Sequence, residues 1–182
     1  MKQTETLNKD IRTQRCLLRK YDERDRETFA ELSIDKEVNF FIGGKCETKE
    51  EAYAMFDKVF QIYGGALHPR HFEIWAIDVA GEYAGHFELK QTDNTGDNEL
   101  EVVYFLDNRY WGKGLMPEII NEINKYAGSM GKQLIATVSS ENVKTMKALA
   151  KAGIQKQENI EDEDGTSLKI WLEQYARDTK NI

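Results

Sequence analysis

Cysteine is scarce in this chain. The 182 residues include two cysteines, Cys16 and Cys46, which form no CxxC motif. No spacing of cysteine and histidine typical of a zinc site is present either, so the sequence predicts neither a disulfide framework nor bound zinc. His68 and His71 stand near each other without a third ligand in the neighbouring sequence, and we therefore expect no metal.

Long apolar runs are missing as well. No segment approaches the roughly 20 apolar residues that cross a bilayer, and residues 1–15 lack the apolar middle of a secretory signal. We expect a cytoplasmic protein with no membrane partner. The net charge of -7 argues against a nucleic-acid partner, because such binding depends on clustered lysine and arginine. An acidic surface is compatible with a cationic amine substrate.

Proline is also rare, and the two prolines do not mark a boundary between domains. Pro69 and Pro117 mark no linker, and the chain contains neither a repeat nor a low-complexity tract. We expect one domain over residues 1–182, with a core of about residues 11–174. The sequence is compatible with a monomer or a homodimer.

Apolar periodicity predicts a mixed order of strands and helices. Thr48 followed by Glu51 is typical of a capping box, which opens a helix. The predicted strands are Arg15–Arg19, Phe72–Val79, Tyr83–Lys90, Glu99–Leu106 and Gln133–Val138, with two more flanking the acidic turn Glu161–Gly165. The predicted helices are Arg24–Ile34, the segment after Thr48, the segment from Leu115 to about Gly128–Gly131, and about Asn142–Ala152.

The segment Arg109-Tyr110-Trp111-Gly112-Lys113-Gly114 directly follows a strand and opens a helix. Glycines allow a tight turn and a close approach to a ligand, and a helix N-terminus presents unpaired N–H groups and the positive end of its dipole. Such a turn is able to hold a pyrophosphate. Neither GxxxxGK[ST] nor a GxGxxG followed by an acidic residue is present, which argues against nucleotide hydrolysis and hydride transfer. The best-placed donors are the N–H groups of Gly112, Lys113, Gly114 and Leu115, with Arg109 closing the loop.

At these residues the sequence resembles the GNAT acetyltransferase superfamily, whose motif [QR]-x-x-G-x-[GA] binds coenzyme A between a central strand and a helix. Arg109, Gly112 and Gly114 match the three positions. Over most of the chain the sequence is most similar to the branch of ribosomal-protein N-terminal acetyltransferases. The other matching segments are Arg15–Arg19, Asp35–Gly44 before Thr48, Leu100–Leu106 with Val103 where glycine is common, and Asn142-x-x-Thr145 before Gly153-Ile154.

The resemblance implies an α+β fold with a central mixed sheet, an antiparallel N-terminal meander, flanking helices and two splayed parallel strands at the coenzyme site. It also implies acetyl-CoA as the co-substrate. The pantetheine arm would pair with the backbone of Phe105 and Leu106 and lie near Asn142. A strand N–H group such as that of Phe105 would stabilise the oxyanion of the reacting carbonyl.

The resemblance and the chemistry together indicate candidate catalytic residues. An amine like that of lysine has a pKa of about 10.4 and must be neutral to attack a thioester, so a base or a water relay is needed. Glu101 matches the family's acidic position and is the candidate base, with His86 and Glu88 as alternatives. Leu149 stands where many members have a tyrosine that protonates the thiolate. Thr145, where the ribosomal branch often has serine, is therefore a candidate hydrogen-bond donor to the thiolate.

The acceptor stays open at this point. The favoured acceptor is a primary amine, either a protein N-terminus or the amine of a small molecule. An antibiotic or polyamine acetyltransferase would share the coenzyme site and differ in its acceptor pocket. A non-catalytic acyl-CoA-binding regulatory module is the third alternative, because the tyrosine is missing. The loops Asp35–Cys46 and Tyr63–His71 are expected to determine which amine is accepted.

Overall fold

The computed structural model describes residues 8–42, 46–65, 70–162 and 165–174. Within these ranges the chain forms eight strands and four α-helices. The strands are β1 (Ile11–Arg12), β2 (Cys16–Arg19), β3 (Phe72–Val79), β4 (Glu82–Lys90), β5 (Glu99–Leu106), β6 (Gln133–Ser139), β7 (Ile154–Asp162) and β8 (Gly165–Leu172). The helices are α1 (Arg26–Ile34), α2 (Lys49–Tyr63), α3 (Leu115–Ser129) and α4 (Val143–Ala152). Outside the described residues lie His68, Gly43-Gly44 of the acceptor loop and Glu163-Asp164 of the acidic turn.

The strands confirm the predicted α+β class and its mixed sheet. Hydrogen-bonded neighbours follow the order β1-β2-β3-β4-β5-β6-β8-β7. The pairs β1–β2, β2–β3, β6–β8 and β7–β8 are antiparallel, whereas β5 and β6 are parallel. The parallel register covers three residue pairs and ends at Glu101 opposite Ile135, although each strand continues beyond that point. Such a short ladder agrees with the prediction of splayed parallel strands.

The helix starts follow their caps. α1 begins at Arg26 rather than at Arg24, because a single 3-10 turn precedes it, capped by the side chain of Asp22. Thr48 caps α2 as predicted, and its Oγ1 accepts a hydrogen bond from the N–H of Glu51 at 3.2 Å. The Glu51 carboxylate bonds the N–H of Glu47 at 2.8 Å, so the return bond of the capping box is displaced by one residue.

Two compact units divide the chain. The first contains the described residues up to Leu89 together with Val103–Lys113, and the second contains Lys90–Val102 and the described residues from Gly114 onward. In the first unit α1 and α2 pack on each other around a largely aromatic core. In the second unit α3 packs against β6 and α4. The unit boundary falls inside the glycine turn, and the single domain stays a prediction.

Candidate active site

The turn after β5 has the left-handed backbone that its glycines allow. Gly112 has a φ of 73° and Gly114 a φ of 75°, values that side chains with a Cβ seldom adopt. An added Cβ at Gly112 would meet no atom within 4 Å among the described residues, so the backbone conformation, not crowding by the protein, requires glycine there. The space beside this backbone is open to a ligand.

Helix α3 begins directly at this turn without a side-chain cap. Its N-cap is Gly114, which has no side chain that could cap the helix. The first N–H groups of a helix have no partner inside the helix and carry the positive end of its dipole. The carbonyl oxygen of Lys113 accepts a hydrogen bond from Arg15 Nη1 at 2.8 Å. Arg15 thus stabilises the turn through the Lys113 carbonyl oxygen and does not occupy the N–H groups at the start of the helix. Such N–H groups are the donors that bind anions at helix N-termini.

Arg109 pairs with the aspartate at the start of the turn. Its Nε donates to Asp107 Oδ2 at 2.8 Å, and its N–H donates to Asp107 Oδ1 at 2.8 Å. Burial alone would raise the pKa of Asp107, but the hydrogen bonds and charge of Arg109 outweigh it and lower that pKa. The Arg109 side chain is 61% exposed and lines an open pocket of about 340 Å³, together with Arg19, Asp25, Asp78 and Tyr83.

The last residues of β5 have backbone groups that are already partly engaged. The carbonyl oxygen of Leu106 accepts a hydrogen bond from Trp111 Nε1 at 2.7 Å. A Cβ added at Gly85 would lie 2.3 Å from the Phe105 carbonyl oxygen, so only glycine allows this approach. The Phe105 side chain belongs to the aromatic core and stacks on His86 with ring centroids 5.1 Å apart.

His86 belongs to a buried network that the sequence does not predict. Its Nδ1 lies 2.7 Å from Tyr21 Oη, and its Nε2 lies 3.0 Å from Glu88 Oε1. The Tyr21 hydroxyl also contacts the Tyr83 hydroxyl at 3.0 Å. Burial, reinforced by Tyr83, raises the pKa of Tyr21 well above its ordinary value, so this phenol stays protonated. Because both ring nitrogens have partners, His86 is a poor candidate for direct proton removal from an amine.

Glu101 lies in the second unit as a buried carboxylate with a defined partner. It is 6% exposed, and its Oε2 accepts a hydrogen bond from Thr92 Oγ1 at 2.5 Å. Glu101 is thus shielded from bulk water and held in place by Thr92.

Asn142 and Thr145 are brought together at the start of α4. Asn142 is the N-cap, and its Oδ1 accepts from the N–H of Thr145 at 3.1 Å. Leu149, one turn further along, is completely buried. Leu149 is the position at which the resemblance implied a tyrosine, and its side chain is apolar and buried. Thr145 is half-buried and supplies the hydroxyl of this helix.

A comparison with protein families decides the identity of this fold. The model of the GNAT acetyltransferase domain matches residues 15–155, which is most of the chain. The chain belongs to the GNAT acetyltransferase family. The resemblance found in the sequence is thereby confirmed, and family membership makes the protein an acyltransferase.

Solved structures agree with this GNAT fold. RimL, a ribosomal L7/L12 alpha-N-protein acetyltransferase in complex with coenzyme A, is 11% identical with a TM-score of 0.72, over 90% of this chain and 96% of that chain. AAC(6')-Ib, an aminoglycoside acetyltransferase in complex with ribostamycin and coenzyme A, is 16% identical with a TM-score of 0.70, over 87% and 93%. A spermidine N-acetyltransferase from Vibrio cholerae in complex with CoA and spermine is 15% identical with a TM-score of 0.70, over 87% and 95%. At these identities the likeness concerns the fold.

Three contacts of this GNAT acetyltransferase were not predicted from its sequence. They are the bond from Thr92 to Glu101, the bond from Arg15 to Lys113, and the Tyr21–His86 pair. Thr92 belongs to the polar loop Gln91–Asn98, to which the sequence assigns no role. Its threonine two residues after Lys90 was the available signal, because a hydroxyl near the end of one strand is able to reach the facing strand.

The part of the chain that the structure describes shows neither a metal-binding cluster nor a membrane-spanning helix. No group of three or more His, Cys, Asp or Glu side chains there is arranged to hold a metal ion. None of the described helices of this GNAT acetyltransferase has the length and apolar character needed to cross a membrane. His71 instead lies 2.8 Å from Glu73, through Nε2 and Oε1.

Proposed function

We propose that this GNAT acetyltransferase moves an acetyl group from acetyl-CoA to a primary amine, either a protein N-terminus or the amine of a small molecule. The observation that carries the proposal is the turn with left-handed Gly112 and Gly114 that opens α3 without a side-chain cap from the described residues. Because the chain belongs to an acetyltransferase family, the ligand proposed for this turn is the pyrophosphate of acetyl-CoA.

The coenzyme contacts follow from the backbone of the turn. The N–H groups of Gly112, Lys113, Gly114 and Leu115 are proposed to hold the pyrophosphate. Arg109 is proposed to stabilise the turn through its pair with Asp107 while its exposed guanidinium stays close to the phosphates. Backbone groups of Phe105 and Leu106 are proposed to pair with the pantetheine amides, with Asn142 near that arm.

The chemistry requires one proton to leave the acceptor before its nitrogen attacks. Glu101 is proposed to take this proton, directly or through water. The nitrogen then forms a bond to the thioester carbon, a backbone N–H such as that of Phe105 stabilises the oxyanion, and the carbon–sulfur bond breaks. Thr145 is proposed to hydrogen-bond the departing thiolate, which then takes up a proton. The products are an amide, free CoA and one proton.

A polyamine acceptor is the second candidate. The net charge of -7 favours a cationic substrate, and the Vibrio cholerae neighbour is described as a spermidine N-acetyltransferase. RimL is described as an alpha-N-protein acetyltransferase and AAC(6')-Ib as an aminoglycoside acetyltransferase. Protein N-termini and aminoglycosides are therefore tested as acceptors as well. The cytoplasmic location, the single domain and the choice between monomer and homodimer are further proposals from the sequence.

The test is release of free thiol from acetyl-CoA in the presence of four amine classes: N-terminal peptides, aminoglycosides, polyamines and free amino acids. We expect at least one class to accelerate thiol release far above the rate without amine, and mass spectrometry to find one acetyl group on its nitrogen. Tight binding of acetyl-CoA with no thiol release in any arm would contradict the enzyme and favour the non-catalytic coenzyme-binding module.

A further inference from the structure

The carboxylate of Glu101 is held by a loop that has no assigned role. Residues 91–98 connect β4 to β5, and Thr92 near the start of this loop donates its hydroxyl hydrogen to Glu101 Oε2 at 2.5 Å. The loop and Glu101 belong to the same compact unit. The bond joins residues nine apart in sequence and is partly buried.

The direction of this bond follows from counting hydrogens. The N–H of Asn94 donates to Thr92 Oγ1 at 3.1 Å, so one lone pair of the hydroxyl is occupied. A hydroxyl has a single hydrogen to donate, and an ionised carboxylate only accepts. Thr92 therefore directs its hydrogen at Oε2 of Glu101, which holds that oxygen in place and leaves Oε1 for another partner.

The turn that presents Thr92 is closed by a second threonine. Thr95 Oγ1 donates to the carbonyl oxygen of Thr92 at 2.7 Å and accepts from its N–H at 3.0 Å. These bonds within the turn leave the hydroxyl of Thr92 little freedom to leave the carboxylate.

Two strands anchor the loop from outside. Lys169 on β8 donates to the carbonyl oxygen of Asn94 at 2.6 Å and to Glu99 Oε2 at 2.8 Å. Asn94 Nδ2 donates to Thr137 Oγ1 on β6 at 3.2 Å. Glu99 also accepts from the N–H of Gly96 at 2.9 Å, so the far end of the loop is tied as well.

Glu99 stays ionised in this cluster. Burial would raise its pKa, but the hydrogen bonds from Gly96, Lys169 and Trp171 outweigh burial and lower it. The charge that holds Lys169 against the loop is thus present throughout the neutral range.

We propose that Thr92 is a positioning residue for acetyl transfer. It holds Oε2 of Glu101 so that Oε1 faces the acceptor, and the Lys169–Glu99 pair keeps the loop of Thr92 in place. The proton of the acceptor ammonium passes to Oε1 and leaves for solvent after the amide has formed. This inference rests on the proposed role of Glu101 as base.

The test compares four variants with the wild type by steady-state thiol release and by melting temperature. Thr92→Val removes the hydroxyl at nearly constant volume, Thr92→Ser keeps it, and Thr92→Ala is a smaller deletion in case the valine variant does not fold. Thr166→Val is the matched control, because Thr166 is an exposed residue of β8 in the same unit.

Deleting the hydroxyl should lower kcat by about tenfold to a hundredfold, the range of a hydrogen bond to a charged group. The KM for acetyl-CoA should stay constant, and Thr92→Ser and Thr166→Val should turn over like the wild type. In a Glu101→Gln background the same deletion should add no further loss, because the base through which Thr92 acts is already gone.

The outcomes separate the two claims. A folded Thr92→Val or Thr92→Ala with wild-type kcat, while Glu101→Gln is slow, overturns the positioning role and leaves the base in place. A loss that persists undiminished in the Glu101→Gln background also overturns it, since Thr92 would then act by another route. Wild-type turnover of Glu101→Gln removes the base and the positioning role together.

Discussion

At the scale of single residues, Glu101 is the side chain on which the chemistry depends. Glu101→Gln keeps the size of the side chain and removes its ability to take a proton. We expect kcat to fall by about 10²–10⁴-fold, the usual effect of a positioned base, with unchanged affinity for acetyl-CoA. Glu158→Gln is the matched control, because the Glu158 side chain is 60% exposed on β7.

Steady-state kinetics separate this role from a purely electrostatic one. If Glu101 merely attracts a cationic acceptor, the variant should mainly raise the acceptor KM, since that contact is present in the ground state and the transition state alike. Wild-type turnover and KM values for Glu101→Gln would exclude Glu101 from the mechanism. Glu88 would then be the next candidate.

Arg19 is a residue on which stability depends. It donates to Asp25 through Nη1 and Nη2, each at 2.8 Å, and to Asp78 through Nε at 2.7 Å. Both aspartates are buried. The hydrogen bond with Asp25 and then that with Asp78, working against burial, raise the pKa of Arg19 above its ordinary value.

Removing this guanidinium would leave two buried carboxylates without their partner. We expect Arg19→Met to lower the free energy of unfolding by about 3 kcal/mol, the low end for a broken buried pair because the Arg19 side chain is 17% exposed. Arg24→Met, which breaks an exposed pair with Asp22, should change little. Urea unfolding measures both, and equal losses would refute the difference in burial as the cause.

At the scale of elements, the turn between β3 and β4 carries backbone strain. Ala80 and Gly81 connect the strands, with φ values of 53° and 85°. Two positive φ values in a two-residue loop are typical of the type I′ turn, which favours Asn-Gly. Alanine at the first position is therefore the wrong residue for a conformation that the hairpin imposes.

Ala80→Asn should stabilise the protein, because asparagine tolerates the left-handed region better than alanine does. We expect a gain of about 0.5–1 kcal/mol in the free energy of unfolding. Ala150→Asn, at an exposed position inside α4, should have the opposite sign, since asparagine is a weaker helix former. Thermal melts of the two variants test this, and a lower melting temperature for Ala80→Asn would contradict the strain.

At the scale of the whole molecule, the features predicted from sequence are those that neighbouring residues determine. The cap at Thr48 and the glycine turn before α3 depend on residues a few positions apart, and both are present in the structure. Periodicity was less reliable at single positions. The helical spacing of apolar residues after Thr48 includes Met55, yet this side chain is 39% exposed in α2.

Two of the contacts that the sequence did not predict join distant residues. Tyr21 and His86 are 65 positions apart, and Arg15 and Lys113 are 98 positions apart. No local pattern specifies which loop will meet which strand, because that pairing is decided by the packing of the whole chain. Thr92 and Glu101 are only nine residues apart, and their bond was missed because it depends on how the loop between β4 and β5 folds.

The central claim, that the turn before α3 holds the coenzyme, is tested most directly by calorimetric titration of acetyl-CoA. The wild type should bind, and Gly112→Val should bind about tenfold more weakly or worse, the equivalent of one lost hydrogen bond to a charged group. Gly65→Val is the matched control: Gly65 has a φ of 74° beside the 73° of Gly112, and among the described residues neither has an atom within 4 Å of an added Cβ. This control should bind like the wild type. A folded Gly112→Val with the wild-type dissociation constant would contradict the claim.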